Sequence, residues 1–178
     1  MRRLELHTAR LVLGPVGWQD MEDMARLKAH AGAFGRMLGG VRSRMEAERE
    51  MAQDVAFWGA RGFGIFTIRE KGVFLGMTGV HDRPDGRGLA LRIALFPTAS
   101  GRGVAREAAG RALAFVLENG ADRVIGIARE DNLPSRIVLG SIGMAHVATF
   151  MRNATRMFLY ERRRHPHVLP LSGPGDRA

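Results

Sequence analysis

Ser100-Gly101-Arg102-Gly103-Val104-Ala105 opens a helix-patterned stretch that runs to Asn119, and the loop has the form of a pyrophosphate cradle. Two glycines let the backbone approach an anion without Cβ obstruction, while the first helical turn offers free N–H groups at a positive dipole end. Val104, Ala108, Ala112 and Val116 recur at helical spacing, and Gly120 stands where a helix stop belongs. Glycines before a helix also serve as a plain turn, so the loop alone leaves both readings open. Working outward, Leu89 to Leu95 is strand-patterned and is followed by Pro97, which cannot donate to a ladder. Downstream lie an apolar strand, Val124 to Ala128, then Asn132-Leu133-Pro134-Ser135, a short helical run and Gly143-Met144.

This order resembles the GNAT superfamily of N-acetyltransferases, with its strand, Q/R-x-x-G-x-G/A loop opening a helix, second strand, and N-x-x-S before a further helix. Ser100 stands where Gln or Arg is usual; the rest of the loop matches. The resemblance extends toward the branch of ribosomal-protein-alanine and spermidine-type N-acetyltransferases. Thr8-Ala9-Arg10-Leu11-Val12-Leu13 resembles that branch's opening T-x-R-L-x-L strand, and Arg106-Glu107-Ala108 its x-E-A after the glycine loop. Gly64-Ile65-Phe66-Thr67-Ile68 and Phe74-Leu75-Gly76-Met77-Thr78-Gly79-Val80 are similar to its second and third strands, so the resemblance covers Leu4 to Tyr160.

The resemblance implies a mixed α/β fold: one GNAT-like domain over 1–162, with a mostly antiparallel central sheet, a splayed parallel strand pair and flanking helices. From Arg163 the sequence loses periodicity and gains Pro166, Pro170, Gly173, Pro174 and Gly175, which predicts a flexible tail over 163–178. Composition agrees with one domain: 178 residues, 46% hydrophobic, suffice for one substantial core. The absence of cysteine excludes disulfides and any Cys-based metal or nucleophile site. No signal-peptide h-region or long apolar run occurs, which predicts a cytoplasmic protein without a membrane partner.

The formal charge of +9 raises nucleic acid as a partner. The cations are nearly all arginine, dispersed along the chain and with little aromatic interleaving, so nucleic-acid binding is set aside in favour of attraction for anionic ligands. Arg162-Arg163-Arg164, read as lying beyond the last strand, is either a solvated tail or an RNA contact.

Elsewhere, Leu4, Leu6, Leu11 and Leu13 mark a first strand region broken by Gly14-Pro15. Trp18, Met21, Met24, Ala25 and Lys28 recur at helical spacing, as do Met51, Val55 and Trp58. Between those helices Ala31 to Arg42 is glycine-rich and reads as a mobile connection. Glu70-Lys71-Gly72 signals a hairpin, and Arg152-Asn153-Ala154 joins the two final strands.

The activity implied by the resemblance is transfer of acetyl from acetyl-CoA, with no metal, to a primary amine by direct attack in a ternary complex. The acceptor is a protein N-terminus or a small molecule. The backbone of Gly101, Arg102, Gly103, Val104 and Ala105 would grip the pyrophosphate, with Arg102 or Arg106 adding charge; Arg102 reads equally as a solvated loop residue. A backbone N–H at Ala94 or Leu95 would face the thioester oxygen, and Asn132 would bond the cofactor or form an Asx turn. An alkyl ammonium with pKa about 10 must lose a proton before attack. The branch's Glu for that role falls on Ala90 here. His81 is the foremost replacement, with Asp82, Glu130 and Asp131 as others, and Ser135 would relay a proton to the leaving thiolate. The +9 balance disfavours polycationic acceptors unless Glu22, Asp23, Glu46, Glu48 and Glu50 line a local acidic mouth. An exposed final strand makes a homodimer conceivable. A catalytically silent acyl-CoA-binding module and an RNA-binding protein on the same scaffold stand as alternatives.

Overall fold

The computed structural model describes residues 4–164. Alternating apolar strands and amphipathic helices build one eight-stranded sheet, covered on both faces. The strands are β1 (Leu6–His7), β2 (Val12–Pro15), β3 (Ile65–Glu70), β4 (Val73–Asp82), β5 (Leu89–Leu95), β6 (Arg123–Arg129), β7 (Ala145–Arg152) and β8 (Thr155–Arg163). Their order is β1-β2-β3-β4-β5-β6-β8-β7, antiparallel throughout except for β5 beside β6. The expected architecture is therefore present, with its parallel pair at the expected place.

Two hairpins follow from local chemistry. Lys71 and Gly72, at φ 49° and 81°, form the two-residue loop between β3 and β4; Asn153 and Ala154, at φ 45° and 59°, do the same between β7 and β8. Positive φ at both central residues matches the twist of the flanking strands. Gly14-Pro15, expected to break the first strand region, instead completes β2, paired with Thr67 and Phe66. β1 pairs only with Val12 and Leu13, leaving Pro15 an open edge where no amide donor is required.

Helix α4 (Val104–Glu118) buries Val104, Ala108, Ala109, Ala112, Leu113, Val116 and Leu117. On one face of the sheet Ala109, Leu113, Val116 and Leu117 pack with Val80, Leu91 and Val124 and with α5 (Leu133–Ser141), while Val104, Ala108 and Ala112 pack with Leu11, Leu13 and Phe66. The opposite face is covered by α1 (Met21–Ala29), α2 (Ala31–Phe34) and α3 (Arg44–Arg61), which pack Met24, Leu27, Phe34 and Met51 against Ile65, Met77 and Ala94. Trp58 borders three core clusters, its indole N–H donating to the Ile65 carbonyl at 2.7 Å.

The glycine-rich connection is more ordered than its composition predicts. Phe34 is fully buried, and the Arg42 guanidinium donates to the carbonyls of Leu38 and Gly40. One buried aromatic and one arginine fork replace the missing periodicity. α3 starts in a capping box: the Ser43 hydroxyl accepts from the Glu46 N–H at 3.3 Å, and the Glu46 carboxylate accepts from the Ser43 N–H at 2.7 Å. Ser43→Ala is expected to lower unfolding free energy by about 1 kcal/mol in a urea titration.

The last strand also runs further than expected. Arg162 and Arg163 lie within β8; Arg162 donates to the Ile142 carbonyl at 2.6 Å, and Arg163 pairs with Glu161. Arg164 pairs with Asp122. The three arginines are thus exposed but partnered, two of them within a strand; the remainder of that segment, 165–178, lies outside the described residues. No described helix is long and apolar enough to cross a membrane.

Candidate active site

β5 and β6 share one register pair, Ala90 with Ile125, and separate beyond it. The β6-facing backbone of Arg92 to Leu95 therefore lacks a ladder partner, and buried amides need one. A cleft of about 1300 Å³ fills the gap and reaches both faces of the sheet. Alternation along β5 sorts its lining: Leu91 packs toward α4, whereas Arg92 and Ala94 face the α1 and α3 side.

On the α4 side the glycine loop stands at the helix mouth. Gly101 and Gly103 have φ 75° and 76°, the left-handed conformation that favours glycine, and Gly103 is the N-cap of α4. Val104 is buried in the core beneath the loop, while Ser100 and Ala105 line the cleft. The loop is tied down by Arg10, which donates to the Arg102 carbonyl and to Glu107. The Arg102 guanidinium is held by Glu70 at 2.6 Å, whereas Arg106 is exposed and makes no ion pair among the described residues. Asn132 caps α5, its side chain accepting from the Ser135 N–H at 3.3 Å, and both residues line the cleft. The Asx-type role of Asn132 is thus realised. Tyr160 is buried in the core, its hydroxyl 3.5 Å from Arg136 Nε.

On the opposite side Ala90 and His81 are cross-strand partners, and Ala90 is buried among Ile125 and Leu159. His81 Nδ1 lies 3.0 Å from the Asp82 carbonyl. Burial, then the Arg92 charge, push the imidazole down to about 4, so it is neutral near pH 7. The other carboxylates considered are engaged: Asp82 with Arg61, Glu130 with Arg156 and Asp131 with Arg129.

A charged cluster that the sequence reading did not assemble occupies the α3 wall. Lys28, 1% exposed, places Nζ 2.6 Å from Glu50, which also accepts from Arg42 at 2.6 Å. Burial opposes the Glu50 charge, but Lys28 and Arg42 overcome it and hold the carboxyl at about 2. Asp54, one turn further along α3, is 3.8 Å from Lys28, and its buried Oδ2 accepts no hydrogen bond from the described residues. Burial pushes its carboxyl up to about 6, against the pull of Lys28 and Arg92. Signals for this cluster existed: a lysine on the apolar stripe of α1, and a lone arginine inside Leu-Ala-Leu-Arg-Ile-Ala-Leu. Each announces a buried cation that needs a counter-charge. The acidic mouth does not form. Glu22 and Glu48 pair with Arg44, Asp23 with Arg26 and Arg69, Glu46 caps α3, and of the five only Glu50 lines the cleft.

The model of the acetyltransferase (GNAT) domain matches residues 10–145. Among solved structures, an acetyltransferase from Agrobacterium tumefaciens is 22% identical, with TM-score 0.77, covering 92% of this chain and 96% of its own. The ribosomal-protein-S5-alanine acetyltransferase of Vibrio fischeri is 13% identical, with TM-score 0.74, covering 90% and 97%. A ribosomal L7/L12 α-N-protein acetyltransferase solved with coenzyme A is 15% identical, with TM-score 0.74, covering 90% and 98%. None of the curated proteins matches the chain.

Proposed function

The chain belongs to the acetyltransferase (GNAT) family, and on that premise we propose that it transfers acetyl from acetyl-CoA to a primary amine by direct attack in a ternary complex. The carrying observation is the divergence of β5 from β6 immediately beside the glycine loop that opens α4. A relative of this fold was solved with coenzyme A, which supports the same occupant for this cleft. The amine belongs to a protein N-terminus, as in the relatives named for ribosomal proteins, or to a small molecule.

The Gly101 to Ala105 backbone would hold the pyrophosphate, and an N–H at Ala94 or Leu95 would stabilise charge on the carbonyl oxygen. Bound acetyl-CoA supplies an activated acetyl group: a C–N bond forms as the C–S bond breaks. Asp54 and His81 are the proton acceptors on the acceptor face. Asp54, at about 6, is the stronger base and the better match to neutral pH than His81 at about 4. One of them takes the first proton of the ammonium. Ser135 passes the second to the departing thiolate, so charge and protons balance.

Thermal unfolding tests the cofactor half. At acetyl-CoA near 100 times Kd the expected stabilisation is about 2.7 kcal/mol, a rise of roughly 5–10 °C. Desulfo-CoA is expected to match it and ATP to give little; no shift at millimolar acetyl-CoA overturns the assignment. Ala90 favours a second reading, an acyl-CoA-binding module without turnover. That reading requires the same thermal shift with no acetyl-amine product from any acceptor.

A further inference from the structure

Arg92 is a partly buried charge in the cleft with no close partner. Its side chain is 20% exposed, its nearest carboxylate, on Glu50, is 4.0 Å away, and that carboxylate already serves Lys28 and Arg42. No described residue accepts a hydrogen bond from its guanidinium. A guanidinium carries five N–H donors in a planar fork, and here they are open to the cleft and free to take an anion. Burial and the neighbouring Arg42 and Arg83 disfavour its charge, and only Glu50 and Asp54 oppose them. Arg36 and Arg152 line the same cleft without an ion pair among the described residues. The cleft acids give little compensation: Glu50 and Asp82 are engaged by cations, and Asp54 lies beside Lys28.

Resting on the acetyltransferase reading, we infer that Arg92 binds a carboxylate on the acceptor, so that the preferred substrate is an amine carrying an anionic group close to the reacting nitrogen. Arg92 and Ala94 lie on one face of β5, and side chains two residues apart on a strand are about 7 Å apart. A carboxylate a few bonds from the nitrogen is the expected form, as in a free amino acid or an acidic residue beside a peptide N-terminus. A planar fork on a planar carboxylate gives two parallel hydrogen bonds, which selects the acid over its amide.

Matched acceptors test this at saturating acetyl-CoA: the peptides Ser-Glu-Glu and Ser-Gln-Gln, both C-terminally amidated, and free glutamate against its diamide. The acid member of the active pair is expected to show 10- to 100-fold higher kcat/KM, roughly the range of a charge-assisted hydrogen bond, and the pair that responds identifies the source. Arg92→Gln is expected to bring the acid-to-amide ratio near one through a raised acceptor KM, with acetyl-CoA binding unchanged. Arg92→Lys keeps the charge but loses the fork, and is expected to fall between. If Arg92→Gln fails to fold, the wild-type ratio and Arg92→Lys decide. Equal or better turnover of the amides overturns the inference, as does failure of every carboxylate acceptor in a protein that binds acetyl-CoA. Loss of the acetyl-CoA thermal shift in the wild type would instead remove the acetyltransferase reading, and the inference with it.

Discussion

Asp54→Asn is expected to melt higher than the wild type at pH 7.5 while transferring acetyl about 100-fold more slowly, a typical loss for a removed general base. The two effects have one cause. Burial holds the Asp54 carboxyl at about 6, above its ordinary 3.8, so the native state binds more protons than the unfolded chain between those values. Asp54 therefore weakens the fold as pH rises from about 3.8 to 6, and the cost persists above that range. A shift of this size corresponds to ~3 kcal/mol; an asparagine removes the charge at nearly constant volume, and a gain of about 1–3 kcal/mol is expected. The gain should be largest at pH 7.5 and nearly absent at pH 4. In wild-type kcat/KM, activity is expected to rise with pH through an inflection near 6, which Asp54→Asn removes. Should the variant melt lower with kcat unchanged, Asp54 is only a partner for Lys28. An inflection near 4 would assign the base to His81.

Gly103→Arg is expected to lower acetyl-CoA affinity at least 100-fold while leaving a folded protein. Gly103 sits at φ 76°, where any other residue is strained by roughly 1–2 kcal/mol. A Cβ there would also meet Arg10 Nη2 at 3.4 Å, on the side chain that steadies the loop. The cost falls on the cradle, since α4 is held separately by seven buried apolar residues. Far-UV circular dichroism should stay native, with melting a few degrees lower. Gly101→Ala is the milder comparison: its φ is 75°, but a Cβ there meets nothing within 4 Å. Unchanged acetyl-CoA affinity in Gly103→Arg would defeat the placement of the pyrophosphate at this loop.

Much of the proposed cofactor half is legible along the chain because its parts are local. The glycine loop, the helix it opens, the strand before it and the Asn132 cap fall within about forty consecutive residues. Backbone conformation, helix capping and strand alternation are short-range properties, and they declare themselves in residue type and spacing. The same holds for the two hairpins, whose turn residues carry positive φ. Elements whose order came from one long-range contact were read less well. Phe34 orders a stretch whose glycines read as mobile, and the Arg162 and Arg164 contacts fix residues whose composition reads as tail.

The sequence by itself determined the family pattern, the alternation of strands and helices, and the absence of the branch's glutamate at Ala90. Only the tertiary structure decided which charges line the α3 side of the cleft. Lys28, Glu50, Asp54 and Arg92 come from two helices and a strand separated by up to sixty-odd positions. Whether an acid is a solvated surface group, a locked ion-pair partner or a proton acceptor depends on which cations and how much water surround it. Glu50, held at about 2, and Asp54, raised to about 6, lie one helical turn apart in sequence and differ through those surroundings alone.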